Sequence, residues 1–312
     1  MLFGVLLVLA STQASPVAPS RSLAPALLGQ WAPSCKAPFP LTRVNKTMQR
    51  NLERRIRAAR LMPLVERKRL TIALVDLSVP KRLYYAALNG DEMLYAASLP
   101  KIAILLTAAE HANEGRLTWT AEHDRRMHSM IVSSNNPDTA WAGDQVGLEG
   151  IAEVLRKPRY CLYDEVHGGL WVGRHYRRKT EVRRDPLHNI SHGATARQAA
   201  RFYVLLDRGR LVNPKWSQRM LGLMSPPRIT HKFVAGLATR PGVSFAARKS
   251  GTWRTFHSDS ALIQHDNARY VAVVLADNKH GEKIIRQVIG ILDDIIMHGE
   301  HRPKKRRVVS RR

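Results

Sequence analysis

Strand-forming stretches sit at both ends of the foldable part of this chain, with a long helical middle between them, and that order restricts the architecture sharply. Near the start, residues 70–77 (LTIALVDL) and 82–88 (RLYYAAL) are short, apolar and rich in strand formers. Val79-Pro80-Lys81 supplies a turn between them, and Asn89-Gly90-Asp91 a second one. Strand patterns return only at residues 243–248, 260–264 and 270–275. Two helices bracket this set. One spans 44–61, with Met48, Leu52, Ile56 and Ala59 on one face and Pro63 beyond its end. The other spans 281–297, with a broad face that includes Ile284, Ile285, Val288, Ile289, Leu292 and Ile296. Between the strand groups lie an apolar helix from Ile102 to about His111 and an amphipathic one over 194–208. The fold class expected is α+β: one antiparallel sheet assembled from both chain ends, flanked by the terminal helices, with a mostly helical block beside it.

The outer segments read differently. Residues 1–14 hold an apolar run, Leu2 to Ala10, then small residues that suit cleavage after Thr12-Gln13-Ala14. This has the character of a signal peptide without a basic leader, and the run is too short for a transmembrane helix. Residues 15–43 are rich in Pro, Ser and Ala and read as a linker. The folded domain is expected over 44–300, and 301–312, with seven Lys/Arg, as a disordered basic tail. An exported protein, periplasmic or extracellular, follows from this reading. Two cysteines, Cys35 and Cys161, leave one disulfide open, and no Cys/His spacing suits zinc. The 50 Lys+Arg against 25 Asp+Glu, a formal charge of +25, allow loose association with anionic cell-wall or nucleic-acid polymers. The chain is expected to act as a monomer.

Three short motifs occur in order. Ser98-Leu99-Pro100-Lys101 lies where a strand-and-loop segment becomes a helix. A serine and a lysine three apart at a helix start share a face, so the amine reaches the hydroxyl. A serine is a poor nucleophile until a neighbour takes its proton, and a lysine does so when burial lowers its pKa. Ser133-Ser134-Asn135 follows, and Lys249-Ser250-Gly251-Thr252 comes before the next strand. In this order they match the S-x-x-K, S-x-N and K-[ST]-G set. The sequence therefore resembles class A β-lactamases and related penicillin-recognising serine D-Ala-D-Ala peptidases, over about Leu70 to Met297.

That resemblance implies a β-lactamase-like fold and an acyl-enzyme mechanism without cofactor or metal. Ser98 is acylated and Lys101 is its base. Ser133 relays a proton to the leaving nitrogen, and Asn135 binds the substrate's side-chain amide. Lys249 and Ser250 hold the substrate carboxylate. Gly251 allows close approach, and the backbone N–H groups of Ser98 and Thr252 form the oxyanion hole. Asp185-Pro-Leu-His-Asn189 resembles the E-x-x-x-N loop whose acid activates the deacylating water, with Asp185 as acid and Asn189 beside the substrate. Two spacings depart from class A: Ser98 to Ser133 is shorter, and Ser133 to Asp185 longer. The longer segment is a rebuilt active-site wall. Asp164 or Glu165 is then an alternative acid, or no acid acts and the acyl-enzyme persists. Possible acid–base roles for His188, His192, His231 and His257 come second to structural ones. An esterase or amidase on the same fold, or a degenerate binder of anionic polymers, stand as alternatives.

Overall fold

The computed structural model describes residues 41, 43–177 and 182–302, all within one compact unit, Ser34–Arg312. The proposed signal peptide, nearly all of the linker and residues 303–312 lie outside the described residues.

The five-stranded antiparallel sheet has the order β2-β1-β10-β9-β8. Its strands are β1 (Leu70–Asp76), β2 (Tyr84–Leu88), β8 (Val243–Trp253), β9 (Phe256–His265) and β10 (Ala268–Asp277). The two chain ends therefore meet at the β1–β10 pairing, in register from Leu70 opposite Ala276 to Asp76 opposite Tyr270. Every residue of β1 is buried, because both sheet faces are covered. Ala73 and Val75 enter the core on one face, while Leu70, Ile72 and Leu74 enter the core on the other. The last three strands are longer than their sequence patterns suggest, since the polar residues of β8 and β9 carry the site.

One face packs on α1 (Lys46–Ala58) through Met48, Leu52 and Ile56, and on α9 (Gly281–His298) through its isoleucine stripe. Removing one such buried side chain, as in Ile285→Ala, costs about 2–5 kcal/mol. The other face packs on the helical block. It comprises α3 (Lys101–Asn113), α4 (Ala121–Val132), α5 (Asn136–Arg156), α6 (Ala196–Asp207) and α7 (Pro214–Leu223). Helix α3 is buried continuously from Lys101 to His111, as suits a helix that is apolar all round. Helix α6 starts at Ala196 rather than at Ala194, because Thr195 caps it with its hydroxyl on the Gln198 N–H. Two short helices, α2 (Met62–Glu66) and α8 (Phe233–Leu237), complete the set.

The long wall segment holds β4 (Tyr163–Asp164), β5 (Gly168–Gly169), β6 (Trp171–Val172) and β7 (His192–Thr195). A second sheet, β3-β7-β6, ties it to β3 (Met93–Tyr95), just before Ser98. Cys161 is disulfide-bonded; the other cysteine of the sequence, Cys35, lies outside the described residues. The C-terminal boundary also shifts. His301 and Arg302, expected in a disordered tail, are anchored on Asp76 of β1 at 2.7 and 2.6 Å. His301 is buried there, edge-on to the ring of Tyr84. Among the described residues, no helix is long and apolar enough to cross a membrane.

Candidate active site

Ser98 stands in a tight turn between β3 and α3. The Leu99 N–H donates to Ala96 O at 3.1 Å, and the Lys101 N–H to Ser98 O at 3.3 Å. Ala97, just before the serine, has φ 52°. A non-glycine residue there carries about 1–2 kcal/mol of strain, so its surroundings must hold it. They do so from two sides. The Ser258 hydroxyl of β9 donates to Ala96 O at 2.8 Å, and the Tyr176 hydroxyl to Ala97 O at 3.0 Å.

Lys101 is fully buried at the first position of α3. Its amine donates to Ser134 O and to Asn136 Oδ1, each at 2.8 Å, and lies 3.4 Å from Ser134 Oγ. Burial pushes its pKa down to about 7. A neutral amine has two N–H groups; two good acceptors engage both and leave the lone pair free. Lys249 of β8 approaches from the opposite side. Its amine donates to Ser134 Oγ at 3.0 Å and to Ser250 O at 2.6 Å. Burial, then the positive charge of Lys101, holds its pKa well below the usual lysine range.

The second motif thus shifts by one residue. Ser133 is exposed at the end of α4 and is not among the hydrogen-bond partners of either lysine. Asn135 is the N-cap of α5, its side chain accepting from the Asp138 N–H at 2.8 Å. Ser134 and Asn136 are the residues brought to the lysines. The sequence Ser133-Ser134-Asn135-Asn136 contains two overlapping S-x-N readings. The signal that separates them is the helix start: Asn135 followed by Pro137 marks an N-cap with proline in the first turn.

On the strand side, Gly251 of β8 lies against the serine turn. A Cβ on Gly251 would lie 2.4 Å from Ala96 O and 2.7 Å from Ser98 N, so only glycine lets β8 pass this close to the serine turn. Ser250 is buried and Thr252 exposed. Lys232, a buried residue the motifs did not reveal, braces this strand. Its amine donates to Gly251 O at 2.6 Å, Thr252 Oγ1 at 2.8 Å and Ser258 O at 3.1 Å. Burial lowers its pKa to about 8. His257 faces Thr252 across the β8–β9 pairing, and burial lowers the pKa of both His257 and His231.

The wall carboxylates Asp185 and Asp164 are engaged within their own segment. The Asp185 carboxylate is buried and spent on its own turn. It accepts from the Tyr163 hydroxyl at 2.5 Å and from the N–H groups of Leu187 and His188 at 3.1 and 2.5 Å. Asn189 closes the same turn, its N–H on Asp185 O at 2.9 Å. Asp164 is likewise used, by the N–H groups of Val166 and His167 and by Gln198. Glu165 points to solvent. Among the described residues, no carboxylate bonds Lys101. The neighbour on that side is the ring of Tyr176, its centroid 4.7 Å from the amine. His192 packs against Tyr176 with the rings tilted and their centroids 4.5 Å apart; burial drives its pKa down to about 4, so it is neutral.

The model of the Beta-lactamase enzyme family matches residues 125–298. Among solved structures, PBP-A is similar at 20% identity, covering 84% of this chain and all of that one, with a TM-score of 0.61. A β-lactamase from Chitinophaga pinensis DSM 2588 is similar at 12% identity, 80% and 99% coverage and a TM-score of 0.60. One from Sphaerobacter thermophilus DSM 20745 gives 17%, 79% and 95%, and 0.59. No curated protein matches. The fold is β-lactamase-like, as the motifs implied, and with the family model matching more than half of its length, this chain belongs to the Beta-lactamase enzyme family.

Proposed function

We propose that this chain is an exported serine acyl-transfer enzyme that reacts with β-lactams or D-Ala-D-Ala peptides and releases its acyl group slowly, as a penicillin-binding protein does. The observation that carries the reading is the Ser134 hydroxyl, 3.4 Å from the Lys101 amine and 3.0 Å from that of Lys249.

The free lone pair of Lys101 takes the proton of Ser98, whose Oγ attacks the carbonyl. The developing oxyanion is met by the N–H groups of Ser98 and Thr252, which the Gly251 contact holds on one side of the serine. Lys249 donates to Ser134 Oγ, which leaves the Ser134 proton free to pass to the leaving nitrogen. Lys101 then returns a proton to Ser134. Lys249 and Ser250 bind the substrate carboxylate, and Asn136 takes the amide-binding role first read on Asn135.

Deacylation needs a water and a base to activate it. Asp185 and Asp164 are both engaged by backbone N–H groups, and neither bonds Lys101. That supports a long-lived acyl-enzyme over an efficient β-lactamase. One of the similar structures is described as an acyl-enzyme complex of a PBP-A mutant with penicillin G. The disulfide at Cys161 supports export.

Intact-mass analysis with benzylpenicillin tests the proposal. A lasting adduct on the wild type and none on Ser98→Ala is the expected result. Rapid turnover without an adduct would make the protein a β-lactamase. Neither adduct nor hydrolysis would remove β-lactams from the proposal and turn it to esters.

A further inference from the structure

We infer that Tyr176 is a positioning residue of this site: its hydroxyl clamps the serine turn at Ala97 while its ring seals the Lys101 amine from water. This rests on the proposed roles of Ser98 and Lys101. No sequence motif contains Tyr176; it lies in the wall segment.

One side chain makes both contacts. The Tyr176 hydroxyl donates to Ala97 O at 3.0 Å, at the residue with left-handed φ directly before Ser98. The ring centroid lies 4.7 Å from Lys101 Nζ. The ring is itself held. The tilted ring of His192 packs on it at 4.5 Å, and His192 Nε2 donates to Arg174 O at 3.1 Å, two residues before Tyr176. The Gly173 N–H donates to Ser191 O at 2.7 Å and fastens the same stretch to the residue before β7. The wall thus delivers an aromatic lid to the base.

The consequence is electrostatic. The titratable and charged groups around Lys101 are Lys249 from β8, His192 from β7, and Tyr176 itself. Ser134 and Asn136 supply neutral acceptors. A π face attracts the charged amine, whereas loss of water disfavours it. Burial prevails at Lys101, whose pKa is about 7. Opening the ring's place to water therefore raises the pKa and lowers the neutral fraction at pH 7. A rise of about one unit takes that fraction from about one half to about one tenth, an about fivefold slower acylation.

The experiment uses the full chain with 13C-labelled lysines. It follows the Lys101 side-chain signal, assigned through Lys101→Arg, against pH in wild type, Tyr176→Leu and Tyr176→Phe. Benzylpenicillin acylation rates and amide exchange at Leu99 are measured beside it. The expected result has three parts. Tyr176→Leu raises the Lys101 midpoint by about one unit and moves the acid limb of acylation with it. Tyr176→Phe leaves the midpoint in place, because the ring stays. It quickens exchange at Leu99, because the Ala97 bond is lost. An unchanged midpoint in folded Tyr176→Leu overturns the sealing role. Unchanged Leu99 exchange in Tyr176→Phe overturns the clamp; if the leucine variant fails to fold, the midpoint in Tyr176→Met, which also removes the ring but keeps more bulk, decides the seal in its place. Should the wild type not be acylated at all, the reading of function falls, while the titration and the exchange still decide Tyr176.

Discussion

The motif side of the site and its wall spend polar groups in opposite ways. On the motif side, helix starts and one strand aim Lys101, Ser134 and Lys249 at a common point, and the lysines, though each also bonds a backbone carbonyl, converge on the Ser134 hydroxyl. In the wall, where β4, β5 and β6 are two residues long, the carboxylates of Asp164 and Asp185 accept from the N–H groups of Val166, His167, Leu187 and His188. A carboxylate at a plausible place in the sequence is thus no free base when its own loop has no ladder to bond. Chemistry is available where secondary structure takes care of the backbone.

The sharpest break of this contrast is Ser98→Ala, which should lower β-lactam acylation by at least about 10³-fold, read by intact mass. Next comes Ser134→Ala, expected to slow acylation about 10²-fold, while Ser133→Ala stays within about twofold. A reversed pair of rates would restore the register first read from the sequence. The pH profile is gentler. Acylation needs neutral Lys101, whose pKa is about 7, so the rate should fall as pH drops through 7, about tenfold per unit well below it. A flat stopped-flow profile from pH 5 to 8 would discard Lys101 as base. On the wall side, Asp185→Asn should destabilise the fold by about 1–3 kcal/mol through its buried turn, seen in urea unfolding. Its effect on deacylation should stay within about twofold, and a much larger one would return Asp185 to the chemistry.

The contrast also explains what the sequence could reveal. The sheet was legible because β1 and β10 are buried on both faces and read as apolar runs. The Ser98 and Lys249 motifs were legible because side chain and backbone act together there, as at Gly251. The second motif was ambiguous because two overlapping triplets differ only in which asparagine caps α5, a matter of local geometry. Tyr176 and Lys232 were illegible. Each bonds a backbone carbonyl distant in sequence, and a carbonyl leaves no mark on residue identity.

The anchor of His301 and Arg302 on Asp76 bears on when this protein can fold during its synthesis. Burial alone would raise the Asp76 pKa, but His301, Arg302 and Ser78 hold the carboxyl well below the usual range. Strand β1 finds one of its neighbours only in β10, and its buried charge, bonded locally by Ser78, finds the basic partners His301 and Arg302 only beyond α9. Until nearly the last described residue has left the ribosome, the first strand has an open edge and a carboxylate with no counter-charge. Contacts of such sequence separation form late and slowly. Completion of β1, with its edge paired and its charge met, is therefore among the last steps of folding.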